Sequence, residues 1–92
     1  MIKGFRHKGL NRFFSKGDVR GIQKKQAARL ARILDLLDNA SAAEQLHIPG
    51  YSLHPLKGDR QGEWAVTVSG NWRITFRFEG EDAVDVNLED YH

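Results

Sequence analysis

A period-two alternation of apolar and polar side chains is the pattern that most constrains this fold. It runs through residues 64–68, 72–78 and 84–89. Successive side chains of a strand point to opposite faces, so each segment has one apolar and one polar face. The turn sequences at residues 69–71 and 79–82 are short and contain glycine. The sequence therefore predicts an antiparallel meander that is apolar on one face and polar on the other.

Helical periodicity dominates the first half of the chain. It predicts a helix over residues 8–16, ended by Gly17, and a longer helix over residues 22–39. The Ser-Ala-Ala-Glu sequence at residues 41–44 is a capping-box pattern that predicts a short third helix. Residues 1–5 are long enough for an edge strand. The predicted fold is α+β: an N-terminal strand and two to three helices packed on the apolar face of an antiparallel β-sheet, with the polar face open for chemistry.

Length and composition set further limits. Ninety-two residues, 40% of them hydrophobic, predict one small domain over residues 1–92. The absence of cysteine excludes a disulfide framework and thiolate metal sites, and suits a reducing compartment. No apolar run resembles a signal peptide or approaches membrane-spanning length, so we expect no membrane association and a cytoplasmic location.

The net charge of +2 conceals a strong asymmetry. Residues 1–32 hold ten lysines and arginines against Asp18 alone, whereas residues 33–92 hold four basic and eleven acidic side chains. On the longer helix, one arc opposite the apolar side carries Lys25, Arg29 and Arg32. A solvated helix face would account for these cations. The size of the asymmetry instead favours a surface for a polyanion or an acidic protein.

Proton-active side chains follow the last strand. Asp90, Tyr91 and His92 supply a carboxylate, a phenol and an imidazole, which are general acid–base groups. A second imidazole, that of His54, lies in the loop before the meander. We expect one end of the sheet to bring together three of these proton-active side chains and two nearby cations. The five residues are His54, Lys57, Arg73, Tyr91 and His92.

RNA cleavage by internal transfer needs such a set of groups. A base takes the 2′-hydroxyl proton, cations stabilise the phosphorane, and an acid protonates the 5′-oxygen. Because the attacking hydroxyl belongs to the substrate, this reaction requires no metal and no other cofactor.

Structural roles would also explain these residues. His54 precedes a proline and could satisfy loop backbone groups, and Arg73 could pair with Asp85 or Glu89 across strands. Asp90 and the two histidines could instead ligate zinc, although no HxxxH spacing supports this reading.

Three residues could contact bases. Trp64 and Trp72 resemble stacking platforms, but both fall on the apolar phase of their strands, which favours the core. Asn71 is first a turn residue, and its amide could also read a base edge.

Four segments carry a family resemblance. They are residues 51–60 (YSLHPLKGDR), 62–64 (GEW), 71–76 (NWRITF) and 89–92 (EDYH). In this order and spacing they closely resemble the HigB toxins of the RelE superfamily, also called plasmid-maintenance killer proteins. The resemblance extends over essentially the whole chain.

The resemblance implies an mRNA interferase. Such toxins enter the ribosomal A site, on the small subunit, and cut the bound messenger without metal, leaving a 2′,3′-cyclic phosphate. A HigA-type antitoxin with a helix-turn-helix domain holds the toxin inactive, and the complex represses its own operon, so operator DNA is reached only through the antitoxin.

By motif position, the implied active-site residues are His54, Lys57, Arg73, Asp90, Tyr91 and His92. Either histidine is expected to act as base, with Tyr91 or the other histidine as acid and Asp90 orienting His92. Asn71 carries over as a base contact. The basic N-terminal third, chiefly Lys25, Arg29 and Arg32, is expected from its charge to dock on ribosomal RNA.

Thr67 departs from the family pattern, because many relatives have an arginine there. Two alternative functions stay open: a gyrase-targeting toxin of the same superfamily, and a non-catalytic RNA-binding module. The two histidines argue against the first, because gyrase inhibition needs no proton shuttle. The second would not need the Asp-Tyr-His sequence.

Overall fold

The computed structural model describes residues 1–91, and the candidate catalytic residue His92 lies outside the described residues. Two α-helices precede a four-stranded antiparallel sheet whose strand order follows the chain. The elements are α1 (Lys8–Lys16), α2 (Ala27–Asn39), β1 (His54–Pro55), β2 (Trp64–Ser69), β3 (Trp72–Glu79) and β4 (Asp82–Asp90). The predicted α+β fold, with helices on one face of an antiparallel sheet, is confirmed. Within residues 1–91, no helix is long and apolar enough to cross a membrane.

The core lies between α2 and the apolar face of the sheet. The helix contributes the buried side chains of Leu30, Ile33, Leu34 and Leu37. The strands contribute Val66, Val68, Ile74, Phe76, Val86 and Leu88. Each fully buried aliphatic or aromatic side chain stabilises the fold by about 1.5–3 kcal/mol relative to exposure. The core therefore fixes which face of the sheet is left for polar side chains.

Helix α1 has the predicted limits. Gly17 adopts the left-handed conformation (φ 70°), and its N–H donates to the Phe13 carbonyl at 2.9 Å. At the other end, His7 Nδ1 accepts a hydrogen bond from the Leu10 N–H at 2.9 Å. Burial lowers the pKa of His7, which keeps this imidazole neutral and able to accept.

The longer helix begins later than predicted. Residues 24–26 form a single 3₁₀ turn, and the α-helix starts at Ala27. Gln26 is 2% exposed, and its side-chain N–H donates to Ser69 Oγ at 3.0 Å. Asp18 accepts from the Arg20 N–H two residues on, which makes a local turn rather than a helix cap. Apolar spacing alone does not separate such a turn from the first turn of an α-helix.

The third helix and the N-terminal strand also differ in detail from the prediction. The segment Ala43–Leu46 is a 3₁₀ helix, and Gln45, not Glu44, accepts the Ser41 N–H, at 2.6 Å. Residues 1–6 run parallel to β4 as two isolated bridges, Ile2 with Ala83 and Phe5 with Val86. The Lys3 and Arg6 N–H groups each donate to β4 carbonyls at 2.8 Å. The edge pairing is thus present without a continuous strand.

A β-bulge interrupts the alternation of β4. Thr75 pairs with Asn87 but Arg77 pairs with Val84, so two residues of β4 face one residue of β3. Asp85 lies at the bulge with φ 53°, in the left-handed region that non-glycine residues seldom adopt. The alternation predicted over residues 84–89 would put Val84 on the apolar face with Val86 and Leu88, and it is wrong at that position: Ala83 is the buried residue instead.

Candidate active site

A cleft of about 550 Å³ opens at one end of the polar sheet face. Antiparallel pairing brings the start of β3 and the end of β4 together at this end of the sheet, where Arg73 lies opposite Glu89. The Tyr91 N–H donates to the Asn71 carbonyl at 2.7 Å, which holds the residue after β4 against the β2–β3 turn. The polar residues that line the cleft include His54, Lys57, Arg60, Asn71, Arg73 and Tyr91.

The structure thus brings together four of the five residues that were expected to meet: His54, Lys57, Arg73 and Tyr91. The fifth, His92, is outside the described residues. Asp90 is exposed and pairs with Trp72 at the end of the sheet. Among residues 1–91, no group of three or more His, Asp or Glu side chains is placed to hold a metal ion.

His54 has a defined hydrogen-bond partner on one ring nitrogen. Its Nδ1 lies 2.8 Å from the Ser52 carbonyl oxygen, and the side chain is exposed. A carbonyl oxygen can only accept, so the neutral imidazole carries its proton on Nδ1. Its Nε2 then keeps a lone pair and can take a proton. Both roles expected of His54, a backbone contact in the loop and proton transfer, are therefore compatible.

Arg73 is held mainly by an aromatic ring. Its guanidinium carbon lies 4.4 Å from the centroid of the Tyr91 ring, within the range of a cation–π interaction. The side chain is 15% exposed, and its contact with Glu89 is long, at 3.5 Å. The expected cross-strand ion pair exists but is loose. The same packing places a cation and a phenol beside each other on the cleft wall.

Arg60 lines the cleft and was not among the residues predicted from the sequence. Its guanidinium donates to Glu89 at 2.7 Å and to Glu63 at 2.8 Å, which places it across the polar face of the sheet. Glu89 also accepts from the Thr75 hydroxyl at 2.8 Å. Arg60 is the main cause that lowers the pKa of Glu89 to about 2, and it lowers the pKa of Glu63 as well. In return, the hydrogen bonds to Glu89 and Glu63 raise the pKa of Arg60.

These ion pairs decide which cations face the cleft with unbalanced charge. The formal charges of Arg60 and Arg73 are balanced by those of Glu63 and Glu89, whereas Lys57 is exposed and makes no ion pair with any described residue. Thr67, which lines the same cleft, adds no charge. The cleft therefore offers an anion the unpaired charge of Lys57, with the loosely paired guanidinium of Arg73 in the same lining.

The basic arc predicted for the longer helix is not uniform, and it spans the 3₁₀ turn of residues 24–26 as well as α2. Lys25 and Arg32 are exposed, as expected. Arg29 is half-buried, and its guanidinium donates to the carbonyls of Gly50 (2.8 Å) and Thr67 (3.1 Å). The expectation that all three side chains share one solvent-facing surface is therefore wrong for Arg29. A long side chain can reach past its own helix face to acceptors on neighbouring elements.

The two tryptophans are both half-buried and pack against the core, as their strand phase indicated. Trp72 also forms part of the cleft wall, next to exposed Asn71. An aromatic surface and a free amide are thus available where a base could lie.

A small α+β domain with cations, an imidazole and a phenol at one end of its sheet has the features of the RelE-like toxins. The chain matches a family described as the RelE-like toxin of the type II toxin–antitoxin system HigB, over residues 3–92, and it belongs to that family. It is 48% identical to Endoribonuclease HigB of Proteus vulgaris over 92 residues, the full length of both chains. As a type II toxin, it has an antitoxin as partner.

Proposed function

We propose that this toxin is an endoribonuclease that cleaves messenger RNA by internal transfer, without a metal cofactor. The observation that carries the proposal is that His54, Lys57, Arg73 and Tyr91 line one cleft. The name of the Proteus vulgaris relative, which matches over its whole length, supports the same reaction class.

In this mechanism His54 Nε2 removes the proton from the 2′-hydroxyl. The resulting oxygen attacks the adjacent phosphorus, and the bond from phosphorus to the 5′-oxygen breaks. The Tyr91 phenol donates a proton to that 5′-oxygen, and the other product ends in a 2′,3′-cyclic phosphate. His92 can take either proton-transfer role, with Asp90 orienting it. The Nδ1–H contact with Ser52 favours His54 as base, because it leaves Nε2 unprotonated.

Lys57 and Arg73 stabilise the phosphorane. Preorganised cations beside a developing negative charge lower the barrier because they need no reorganisation during the reaction. Stacking on Tyr91 orients the guanidinium of Arg73 without occupying all of its donors. Where many relatives have a further arginine, Thr67 is neutral, so the reaction depends on these two cations.

The substrate is the messenger in the ribosomal A site. Lys25 and Arg32 dock on small-subunit RNA, and Arg29 adds its charge to this basic face from a half-buried position. Asn71 contacts a base, with Trp72 beside it. The antitoxin is of the HigA type, with a helix-turn-helix domain through which the pair reaches operator DNA. The site of action is the cytoplasm.

The test is primer extension on messenger RNA from translating ribosomes, with purified toxin. Discrete cuts with 2′,3′-cyclic phosphate ends are expected, and they should disappear in His54→Ala and His92→Ala. His47→Ala is the matched control, because His47 is exposed and lies outside the cleft. Intact messenger with broken DNA would favour a gyrase-targeting toxin. Ribosome binding without cleavage would favour a non-catalytic RNA-binding module.

A further inference from the structure

Arg29 connects helix α2 to the segment that precedes His54. Its guanidinium donates to the Gly50 carbonyl at 2.8 Å and to the Thr67 carbonyl at 3.1 Å. The guanidinium carbon also lies 4.6 Å from the centroid of the Tyr51 ring. Tyr51 is 4% exposed, so this contact is made at the edge of the core. One side chain thus touches the helix, strand β2 and the loop.

The same loop sets the imidazole of His54. The Thr67 N–H donates to the Tyr51 carbonyl at 2.7 Å, which fixes the loop against β2 from the other side. Ser52 then adopts φ 50°, a left-handed conformation that surrounding contacts must maintain in a non-glycine residue. The Ser52 carbonyl, oriented by that conformation, accepts the Nδ1–H of His54 at 2.8 Å.

We infer that Arg29 is a positioning residue for His54: by holding residues 50–52 against β2, it selects the imidazole tautomer that leaves Nε2 free as a base. The effect of Arg29 on RNA cleavage rests on the proposed function. Its effect on the His54 tautomer holds whether or not the protein cleaves RNA. Arg29 acts through Ser52 and is not itself one of the residues that line the cleft.

The geometry requires arginine. A planar guanidinium can donate to two carbonyls and lie over a ring at once, whereas a lysine ammonium is a point charge on a flexible stem. Arg29→Lys should therefore show the same defect as Arg29→Gln, although it keeps the positive charge. If Arg29 acted only as a docking charge, lysine would substitute for it.

The first measurement is the tautomer of His54 by ¹⁵N NMR, at a pH where the imidazole is neutral. The wild-type protein should show the Nδ1–H form. Arg29→Gln and Arg29→Lys should move His54 toward the Nε2–H form, which is favoured by an imidazole without a partner. Arg32→Gln removes a charge from the same helix and should leave the His54 signals in place. Unchanged His54 signals in both Arg29 variants would overturn the inference.

The second measurement is a double-mutant cycle on single-turnover cleavage at saturating ribosomes. Arg29→Gln should lower the rate by about 10–100-fold, the range found when a group that orients a metal-ligating histidine is removed. In a His54→Ala background it should cause no further loss, because both changes affect one group. If Arg29→Gln lowered the cleavage rate by the same factor in the wild-type and His54→Ala backgrounds, Arg29 would act on RNA directly.

The two experiments test separately whether Arg29 positions His54 and whether that position matters for RNA cleavage. If the wild-type protein cleaves no RNA, the proposed function fails, and the NMR result still decides whether Arg29 positions His54. Circular dichroism establishes that each variant is folded, and if Arg29→Gln does not fold, Arg29→Lys carries both measurements.

Discussion

Replacing Glu89 with glutamine should lower the free energy of unfolding at pH 7 by about 3 kcal/mol. Glu89 accepts hydrogen bonds from Arg60, Thr75 and Asn87 and lies near Arg73, and its side chain is 20% exposed. Glutamine keeps the shape of the side chain and removes its charge. The substitution therefore weakens the contacts beneath the cleft without leaving a void.

The magnitude follows from the pKa of Glu89, which the fold lowers from 4.5 to about 2. Such a change corresponds to roughly 3 kcal/mol of preferential stabilisation of the carboxylate. The breaking of a buried ion pair costs about 3–5 kcal/mol, and the lower end applies because Arg60 keeps Glu63 as a partner. For a chain of this length, 3 kcal/mol corresponds to a fall of roughly 12–24 °C in melting temperature.

The sign of the pH dependence follows from the lowered pKa. The stabilisation by Glu89 is fully present above the unfolded-state pKa of 4.5 and is lost as pH falls toward about 2. Protonated glutamate and glutamine are both neutral. The difference in stability between wild type and Glu89→Gln should therefore be constant above about pH 5.5 and shrink as pH falls toward 2.

Urea unfolding of both proteins between pH 2.5 and pH 8 measures this difference. Glu79→Gln is the matched control, because Glu79 pairs with Arg77 at 3.2 Å and is 64% exposed. Exposed pairs contribute about 0–1 kcal/mol, so this control should change little. A difference for Glu89→Gln that is below 1 kcal/mol at pH 7, or that does not vary with pH, would refute the reasoning.

Three further changes test other parts of the structure. Arg73→Lys should lower single-turnover cleavage by on the order of 10²–10³ and keep the shape of the pH profile, and wild-type rates would contradict a role in phosphate stabilisation. Changing Lys25 and Arg32 together to glutamate should weaken ribosome binding and reduce its salt dependence at an unchanged melting temperature. An unaltered salt dependence would place docking elsewhere. Gly9→Ala should destabilise the fold by about 1–3 kcal/mol, because the added Cβ would overlap the Gly21 carbonyl. An unchanged melting temperature in thermal unfolding would contradict that close approach.

Periodicity predicted most of the secondary structure correctly because each element buries one face against a single core. It placed α1 at its observed limits, and it located β2 and β3. It failed at Asp85, because a bulge adds one residue without altering local composition. It also failed at the start of α2, where Gln26 is buried through a contact with Ser69 that lies 43 residues away.

The candidate site was predictable to a different extent. The chemistry of the side chains and the family motifs identified His54 and Tyr91, and strand pairing explains why they line one cleft. Arg60 was missed because its partner Glu89 lies 29 residues away, and such a pair leaves no local pattern. Arg29 was assigned to the solvent because a helical projection records the direction of the Cβ atom and not the reach of the side chain.

The pairing of residues 1–6 with β4 has a consequence for the order of folding. Ile2 lies beside Ala83 and Phe5 beside Val86, so residues 1–6 pair with a strand that is synthesised much later in the chain. Contacts so distant in sequence form slowly, because the intervening chain must first be ordered. The wall of the cleft that contains Tyr91 is also built from this late segment. A nascent chain therefore cannot complete the cleft until residue 91 has left the ribosome that synthesises it.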